Sequence, residues 1–266
     1  MKKSVFLICI LYMTAAAYIS SLFYIEPLAH IPPRCKREDI SYAVNKSRVD
    51  YTDEDYAFIF RQTGLGRPAV DALETKALLY GYQDSYFADI EFECRINSPV
   101  SFEERVINSP IRLAPLEEGD VLLTNSSHVL SWRNGHAAIC VDAENGYTLE
   151  AVVIGKNSKL QSTEKWRDYP NFAVLRLKNA DKKERAEIAR SAMTYLNNIP
   201  YNALVGLLPR KYSELGSTAG TQCAHLVWLA YASHGYDIDS DQGLIVTPDD
   251  ILESDLFEVV QSYGMG

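Results

Sequence analysis

The sequence predicts an α+β domain in which helices come first, a block of short strands follows, and helices return. Three observations carry this. Apolar residues recur at helical spacing from Tyr56 onward, four short Val-, Leu- and Ile-rich runs lie between Asp120 and Leu177, and amphipathic segments behind capping residues resume at Asp181. Strand and helix patterns are segregated rather than strictly alternating, which marks α+β and not a parallel βαβ sheet.

The first element is Met1-Lys2-Lys3-Ser4 followed by an uncharged, mostly apolar stretch from Val5 to Ile25. A membrane-spanning helix needs roughly 20 such residues and a secretory h-region about 7 to 15, so residues 1–25 read as a retained transmembrane anchor. A cleaved signal peptide stays open, since Val5 to Met13 suffices as an h-region and Thr14-Ala15-Ala16-Ala17 supplies small residues for cleavage. Cys9 follows the bulky Leu7 and Ile8 and reads as a thiol inside the apolar helix, not a lipid-attachment site. Lys2 and Lys3 on one side and Arg34, Lys36 and Arg37 on the other leave the positive-inside rule undecided. The usual fate of a lone N-terminal apolar segment is export, so the expectation is an extracytoplasmic domain, membrane-anchored or secreted if cleaved.

Residues 26–51 read as a linker, and 52–115 as a helical appendage with a connecting region. Thr52-Asp53-Glu54-Asp55 resembles a capping box, and Tyr56, Ile59 and Phe60 follow at helical spacing. Gly64-Leu65-Gly66 ends that helix; it follows a helix, not a strand, and lacks a third glycine, so it is a turn and not a nucleotide loop. Pro68 opens a second helix that Gly81 is expected to close. From Gln83 to Glu118 no period is sustained.

Residues 116–266 hold the main domain. Strands are expected at Asp120–Thr124, His136–Val141, Tyr147–Val153 and Phe172–Leu177. Helices are expected from Asp181 through Leu196, from Gln222 to His234 with Gly235 as stop, and from Thr247-Pro248-Asp249-Asp250; Leu256–Val260 is expected as an edge strand.

Composition bounds the function. With 266 residues, 47% hydrophobic and 23% charged, the chain has material for an enzyme core. A net charge of -9, and no basic stripe interleaved with aromatics, argue against nucleic acid or an anionic surface as an electrostatic partner. Five cysteines leave pairing of Cys35 with Cys94 open, and the bland alternative is that all are free thiols. The Cys and His residues lack compact ligand spacing, so neither a metal site nor a cofactor is expected.

Cys223 begins an apolar helix after the polar Gly220-Thr221-Gln222, where helix N–H groups and the dipole favour a thiolate. A nucleophilic thiol needs a base. His30 lies near the membrane segment, His128 in a polar loop, His225 on another face of the same helix and His234 at its far end, which leaves His136 at the head of an apolar strand. Glu150, an acid inside the strand Tyr147-Thr148-Leu149-Glu150-Ala151, is the candidate to orient His136. An Asn145-Gly146 two-residue turn would put it on the wrong face. A loop from Asp142 to Gly146 pairs Val141 with Tyr147 and sets Glu150 diagonal to His136, roughly 7 to 8 Å away between backbones.

Gly135-His136-Ala137-Ala138-Ile139, Leu149-Glu150-Ala151, Ile199-Pro200-Tyr201-Asn202, Gln222-Cys223-Ala224-His225-Leu226-Val227-Trp228 and Gly243-Leu244-Ile245-Val246-Thr247-Pro248-Asp249-Asp250 together resemble the YiiX/YebB-like branch of the NlpC superfamily. The resemblance covers about Leu116 to Val260. It implies a circularly permuted papain-like core, with an antiparallel sheet against the Cys-bearing helix and the His strand ahead of it. It implies a cysteine hydrolase of the peptidase or amidase type, in which Cys223 attacks a carbonyl, His136 carries the proton, Glu150 orients His136, Tyr201 lines the site and the Cys223 N–H contributes to an oxyanion hole. Ala224 and His225 depart from the residues relatives commonly carry there, which leaves substrate preference open. The expected substrate is an amide in cell-envelope peptides; the alternatives are an acyltransferase or lipid amidase on the same core, and a catalytically silent binding module.

Overall fold

The computed structural model describes residues 2–23, 28–129, 132–208 and 210–265. Helix α1 (Lys2–Phe23) carries the apolar N-terminal run, and its large side chains from Phe6 to Met13 are exposed. Among the described residues no helix is long and apolar enough to cross a membrane. The side chains of α1 are described over 6–19 alone, and residues 24 and 25, expected to complete an anchor, lie outside the described residues.

Residues 26–51, read as a linker, hold the short helix α2 (Ser41–Asn45). Helix α3 (Asp53–Thr63) starts at a reciprocal capping box: Thr52 Oγ1 accepts from the Asp55 N–H at 3.3 Å and Asp55 Oδ2 accepts from the Thr52 N–H at 2.7 Å. Gly64 ends it in the left-handed region, φ 70°. Gly66 serves close approach, since a β-carbon there would come 1.8 Å from the Val259 carbonyl oxygen. The helix expected from Pro68 to Gly81 is two. Helix α4 (Arg67–Ala72) stops where Leu73 turns extended and buries itself, with Arg48 donating to the freed carbonyls of Asp71 and Leu73. Helix α5 (Leu78–Tyr86) then contains Gly81, whose missing side chain makes room for the Arg112 guanidinium.

The region read as irregular holds a hairpin, β1 (Phe92–Ser98) and β2 (Ser101–Val106). Strand β1 is exposed along nearly its whole length, so no apolar alternation marks it. Next come β3 (Val121–Thr124), β4 (Ser127–Val129), β5 (Trp132–Arg133), β6 (His136–Asp142), β7 (Tyr147–Glu150), β8 (Lys159–Ser162) and β9 (Phe172–Leu177). The chain closes with helices α6 (Lys182–Tyr195), α7 (Cys223–Ala232) and α8 (Pro248–Leu252) and strand β10 (Phe257–Tyr263).

Two sheets result: a small one ordered β1-β2-β4-β5, and a six-stranded antiparallel one ordered β10-β9-β3-β6-β7-β8. The larger sheet is buried on both faces. Val121, Leu123, Ala137, Ile139 and Leu149 pack against Ile188 and Ala192 of α6 and Leu226 and Val227 of α7. Leu122, Ala138, Cys140 and Val174 point the other way, against Ile59, Leu65, Val70 and Leu79. The helices of the 52–115 segment thus form a second layer on the same sheet that carries His136. Two consecutive alanines, Ala137 and Ala138, let both layers approach β6 closely. Helix α7 is buried from Ala224 to Tyr231, all round its circumference, as a helix clasped within a core must be.

Candidate active site

Cys223 is the first residue of α7. Gln222 caps the helix: its Oε1 accepts from the Ala224 N–H at 2.8 Å and its Nε2 donates to the Val246 carbonyl at 2.7 Å, tying the helix start to the loop before α8. At such a position the N–H of Cys223 has no intrahelical acceptor, so it is a donor for a developing oxyanion.

His136 opens β6 directly after Gly135, which is left-handed at φ 69° and sits so close to β3 that a β-carbon would come 2.9 Å from the Thr124 carbonyl oxygen. Along β6, Ala137 and Ile139 face α7, while His136 shares parity with Ala138 and Cys140, which face away. As the first residue of the strand, His136 lies at the end of the sheet where its ring still interacts with the Cys223 thiol.

Strand β7 supplies Glu150. Ile139 pairs with Leu149 and Cys140 with Thr148, the register of the longer loop; Asp142 then pairs with Tyr147, so Val141 is bulged out and the turn shortens to Ala143–Gly146. That register places Glu150 across from Ala138, diagonal to His136, and His136 Nε2 donates to Glu150 Oε2 at 2.6 Å. With Nε2 engaged, Nδ1 is left to face the thiol. The carboxylate is fully buried and takes further donors from the Thr148 hydroxyl at 2.5 Å, the Trp166 indole at 3.3 Å and the Lys165 ammonium. Trp166 also stacks on the imidazole, with centroids 6.0 Å apart and planes 15° from parallel.

The electrostatics follow from this geometry. Burial raises the Glu150 carboxyl, but the charge of Lys165 and the hydrogen bond from His136 outweigh it and hold it well below the carboxylate range. Burial likewise lowers His136, yet its bonds to Cys223 and Glu150 prevail and raise it from 6.5 to about 9. Burial raises the Cys223 thiol, while His136 and the N–H groups of Ala137 and Ala224 bring it below its ordinary value. Opposite shifts of a thiol and its neighbouring imidazole favour transfer of the thiol proton to the ring. Cys140 is the internal contrast: burial pushes its thiol far up, leaving it inert.

Tyr201 is half-buried, bridges to Thr221, and has its phenol raised first by burial and then by Cys223, so it lies beside the nucleophile. Cys223, His136 and Tyr201 share one cavity of about 190 Å³. Its remaining wall is largely apolar, with Val129, Val152, Ile154, Ala203, Ile245 and Val246. Beyond it, Leu204, Leu207, Leu208 and Leu244 are exposed on the adjoining loops. His225 is structural: Nε2 donates to the Lys211 carbonyl at 2.7 Å and Nδ1 lies 2.9 Å from the Thr221 hydroxyl. Cys35 and Cys94 are both free thiols, so the possible disulfide between them is not formed.

No protein-family model matches the chain, and no curated protein matches it. A crystal structure of the metalloprotein yiiX from Escherichia coli O157:H7 is similar at a TM-score of 0.43 and 12% identity, over 56% of this chain and 98% of that one. So distant a likeness decides neither family nor function.

Sequence reasoning missed Lys165 and Trp166. Both lie in a 3-10 helix, Thr163–Asp168, within a polar run that carries no period pointing inward. Gln222 belongs to the Cys223 motif, but nothing in the sequence marked it as the residue that would clamp Val246.

Proposed function

We propose that the chain is a cysteine hydrolase acting on amide or related acyl carbonyls. The observation that carries this reading is the pairing of a thiol lowered by its imidazole neighbour with an imidazole raised to about 9 and braced by Glu150 at 2.6 Å. In the reaction Cys223 sulfur attacks the carbonyl carbon while the Cys223 N–H supports the oxyanion. His136 protonates the departing group, and the acyl-thiol is then resolved by water that His136 deprotonates. Glu150 keeps the ring turned and the imidazolium stabilised.

An amide of cell-envelope peptides remains the expected substrate. One observation favours the second reading, an acyl-lipid amidase or acyltransferase: the cavity wall beside Cys223 is aliphatic, and the leucine-bearing loops extend that surface outward. Export and membrane attachment through the N-terminal apolar run fit either substrate.

A thiol-directed activity probe tests the enzyme reading: labelling of the wild type is expected to vanish in Cys223→Ala and fall in His136→Ala. Labelling no faster than that of a denatured control thiol overturns it in favour of a binding module. Purified peptidoglycan and N-acyl lipids, digested in parallel, then separate the two substrate classes.

A further inference from the structure

We propose that Asp239, Asp241 and Asp250 bind a divalent cation, calcium by their chemistry, that ties the loop before α8 to the start of that helix. The inference is independent of the catalytic reading.

One carboxylate oxygen from each of the three residues lies within 4.8 Å of the others. Calcium–oxygen bonds of about 2.3 to 2.6 Å allow ligands on opposite sides of the ion to stand about 5 Å apart, so the three can share one ion. Convergence of acids alone would be ordinary surface chemistry, but Asp239 is not on the surface. Its side chain has no exposure, Oδ2 accepts from the Lys211 ammonium, and Oδ1 is buried with no hydrogen-bond partner among the described residues. Asp239 thus has one carboxylate oxygen without a donor in a cluster where its side chain also meets that of Asp241, and such a buried group is costly unless a cation or a shared proton completes it.

Lys211 does not supply that completion. Its ammonium is shared between Asp239 Oδ2 and the Gly243 carbonyl at 3.0 Å, and it rests 4.6 Å from the centroid of the Trp228 ring, so one positive charge stands against three carboxylates. Asp241 and Asp250 are already oriented, Asp241 by the Gly243 N–H at 2.6 Å and Asp250 by the N–H and hydroxyl of Thr247, each at 2.7 Å. An all-oxygen donor set without Cys or His selects a hard ion over zinc. The expectation of no metal weighed only Cys and His and so passed over the carboxylates of Asp239, Asp241 and Asp250.

The position gives the ion a consequence. Ile245 to Pro248, between Asp241 and Asp250, form one wall of the Cys223 cavity, and Val246 receives the Gln222 clamp. An ion joining both ends of this stretch stiffens that wall.

Terbium reads the site directly, because Trp228 donates to Asp237 at 2.7 Å and packs against Lys211, within sensitising distance. Full-length protein in detergent, titrated with terbium and excited at the indole band, is expected to give saturable emission that calcium displaces. The same emission is expected in Cys223→Ala. In Asp241→Asn, an exposed position that spares the core, affinity is expected to fall at least tenfold. On wild-type protein, millimolar calcium is expected to raise the melting temperature relative to a chelator. Emission that never saturates, emission unaltered in Asp241→Asn, or a melting temperature indifferent to calcium overturns the proposal and leaves the Lys211 ammonium to offset the cluster.

Discussion

Glu150 lies diagonally across the β6–β7 ladder from His136, and its Oε2 receives the His136 Nε2–H at 2.6 Å in a site closed to solvent. Register decides this contact, since a slip of one residue on β7 would turn Glu150 toward α7. Glu150→Gln keeps the shape and removes the charge that braces the imidazolium. It is expected to lower kcat by about 10²- to 10⁴-fold while KM changes little. It also strands the Lys165 ammonium beside a neutral amide, and breaking such a buried pair costs about 3 to 5 kcal/mol, visible as a lower Tm. Unchanged turnover in a folded variant would remove Glu150 from the mechanism.

The Cys223–His136 pair predicts an unusual pH profile for thiol reactivity. An isolated thiol loses thiolate about tenfold per pH unit below its pKa. Wild-type alkylation by iodoacetamide is therefore expected to fall less steeply from pH 8 to pH 6 than that of His136→Ala, whose thiolate falls about 100-fold over the same range. Turnover is expected to decline above about pH 9, where His136 loses the proton it gives to the leaving group. Stability follows the same linkage. His136 holds its proton more tightly folded than unfolded, so its contribution is complete below 6.5 and lost as pH rises through about 9. Glu150, lowered by folding, contributes above 4.5 and loses that contribution as pH falls through its folded value. Tm measured from pH 3 to pH 10 in wild type, His136→Ala and Glu150→Gln separates the two limbs.

Lys165 tunes this pair without touching it. Glu150 faces the Lys165 ammonium, the His136 ring, the Thr148 hydroxyl and the Trp166 indole, and Glu103 and Arg105 stand behind His136. While the Lys165 ammonium lies against Glu150, His136 feels a partly neutralised carboxylate. Lys165→Met is expected to move the basic limb of the pH–rate profile upward and to lower Tm, and Lys165→Arg to restore both. A Tm change with an unmoved basic limb would make Lys165 purely structural.

The readable parts of this chain were those where local pattern and tertiary environment agree. Thr52, Asp181 and Thr247 cap helices as their side chains dictate, and the four main strands announced themselves because each buries apolar side chains. Cys223, His136 and Glu150 could be brought together on paper because one is at a helix start and the other two on neighbouring strands whose register a turn controls. Strand β1 was invisible because exposure erases alternation, and the split of α4 from α5 because it is enforced by the burial of Leu73 and by Arg48, a partner more than 20 residues earlier in the chain. That the early helices cover the second face of the catalytic sheet was equally hidden: amphipathicity says that a face is buried, not against what.

Gly66 tests that packing. Its backbone is ordinary, φ -73°, so alanine would be tolerated locally, and the obstacle is the Val259 carbonyl 1.8 Å from the new β-carbon. Gly66→Ala is expected to push α4 off β10, costing about 1 to 3 kcal/mol and lowering Tm by several degrees. Thiol labelling at 25 °C is expected to persist, since β6 and α7 meet on the opposite face. Wild-type Tm in this variant would show that the helical layer is not rigidly seated.

The aliphatic wall makes the last prediction, about substrate. Ile154 and Ile245 line the Cys223 cavity, and each is more than a third exposed, so either can be made polar without opening the core. If the acyl group of the substrate lies along this wall, a single aspartate there forfeits the apolar contact and meets the chain with a charge. Discrimination by hydrophobic pockets runs at about 10- to 200-fold per contact removed. Ile154→Asp and Ile245→Asp are each expected to lower kcat/KM at least tenfold for a long-chain N-acyl substrate and to leave a short acetyl analogue almost unaffected. The chain-length dependence is the decisive reading, because damage to Cys223 or His136 would lower both substrates alike. Wild-type activity of both variants on long chains would place the acyl group elsewhere and leave the cell-envelope peptide as the substrate reading.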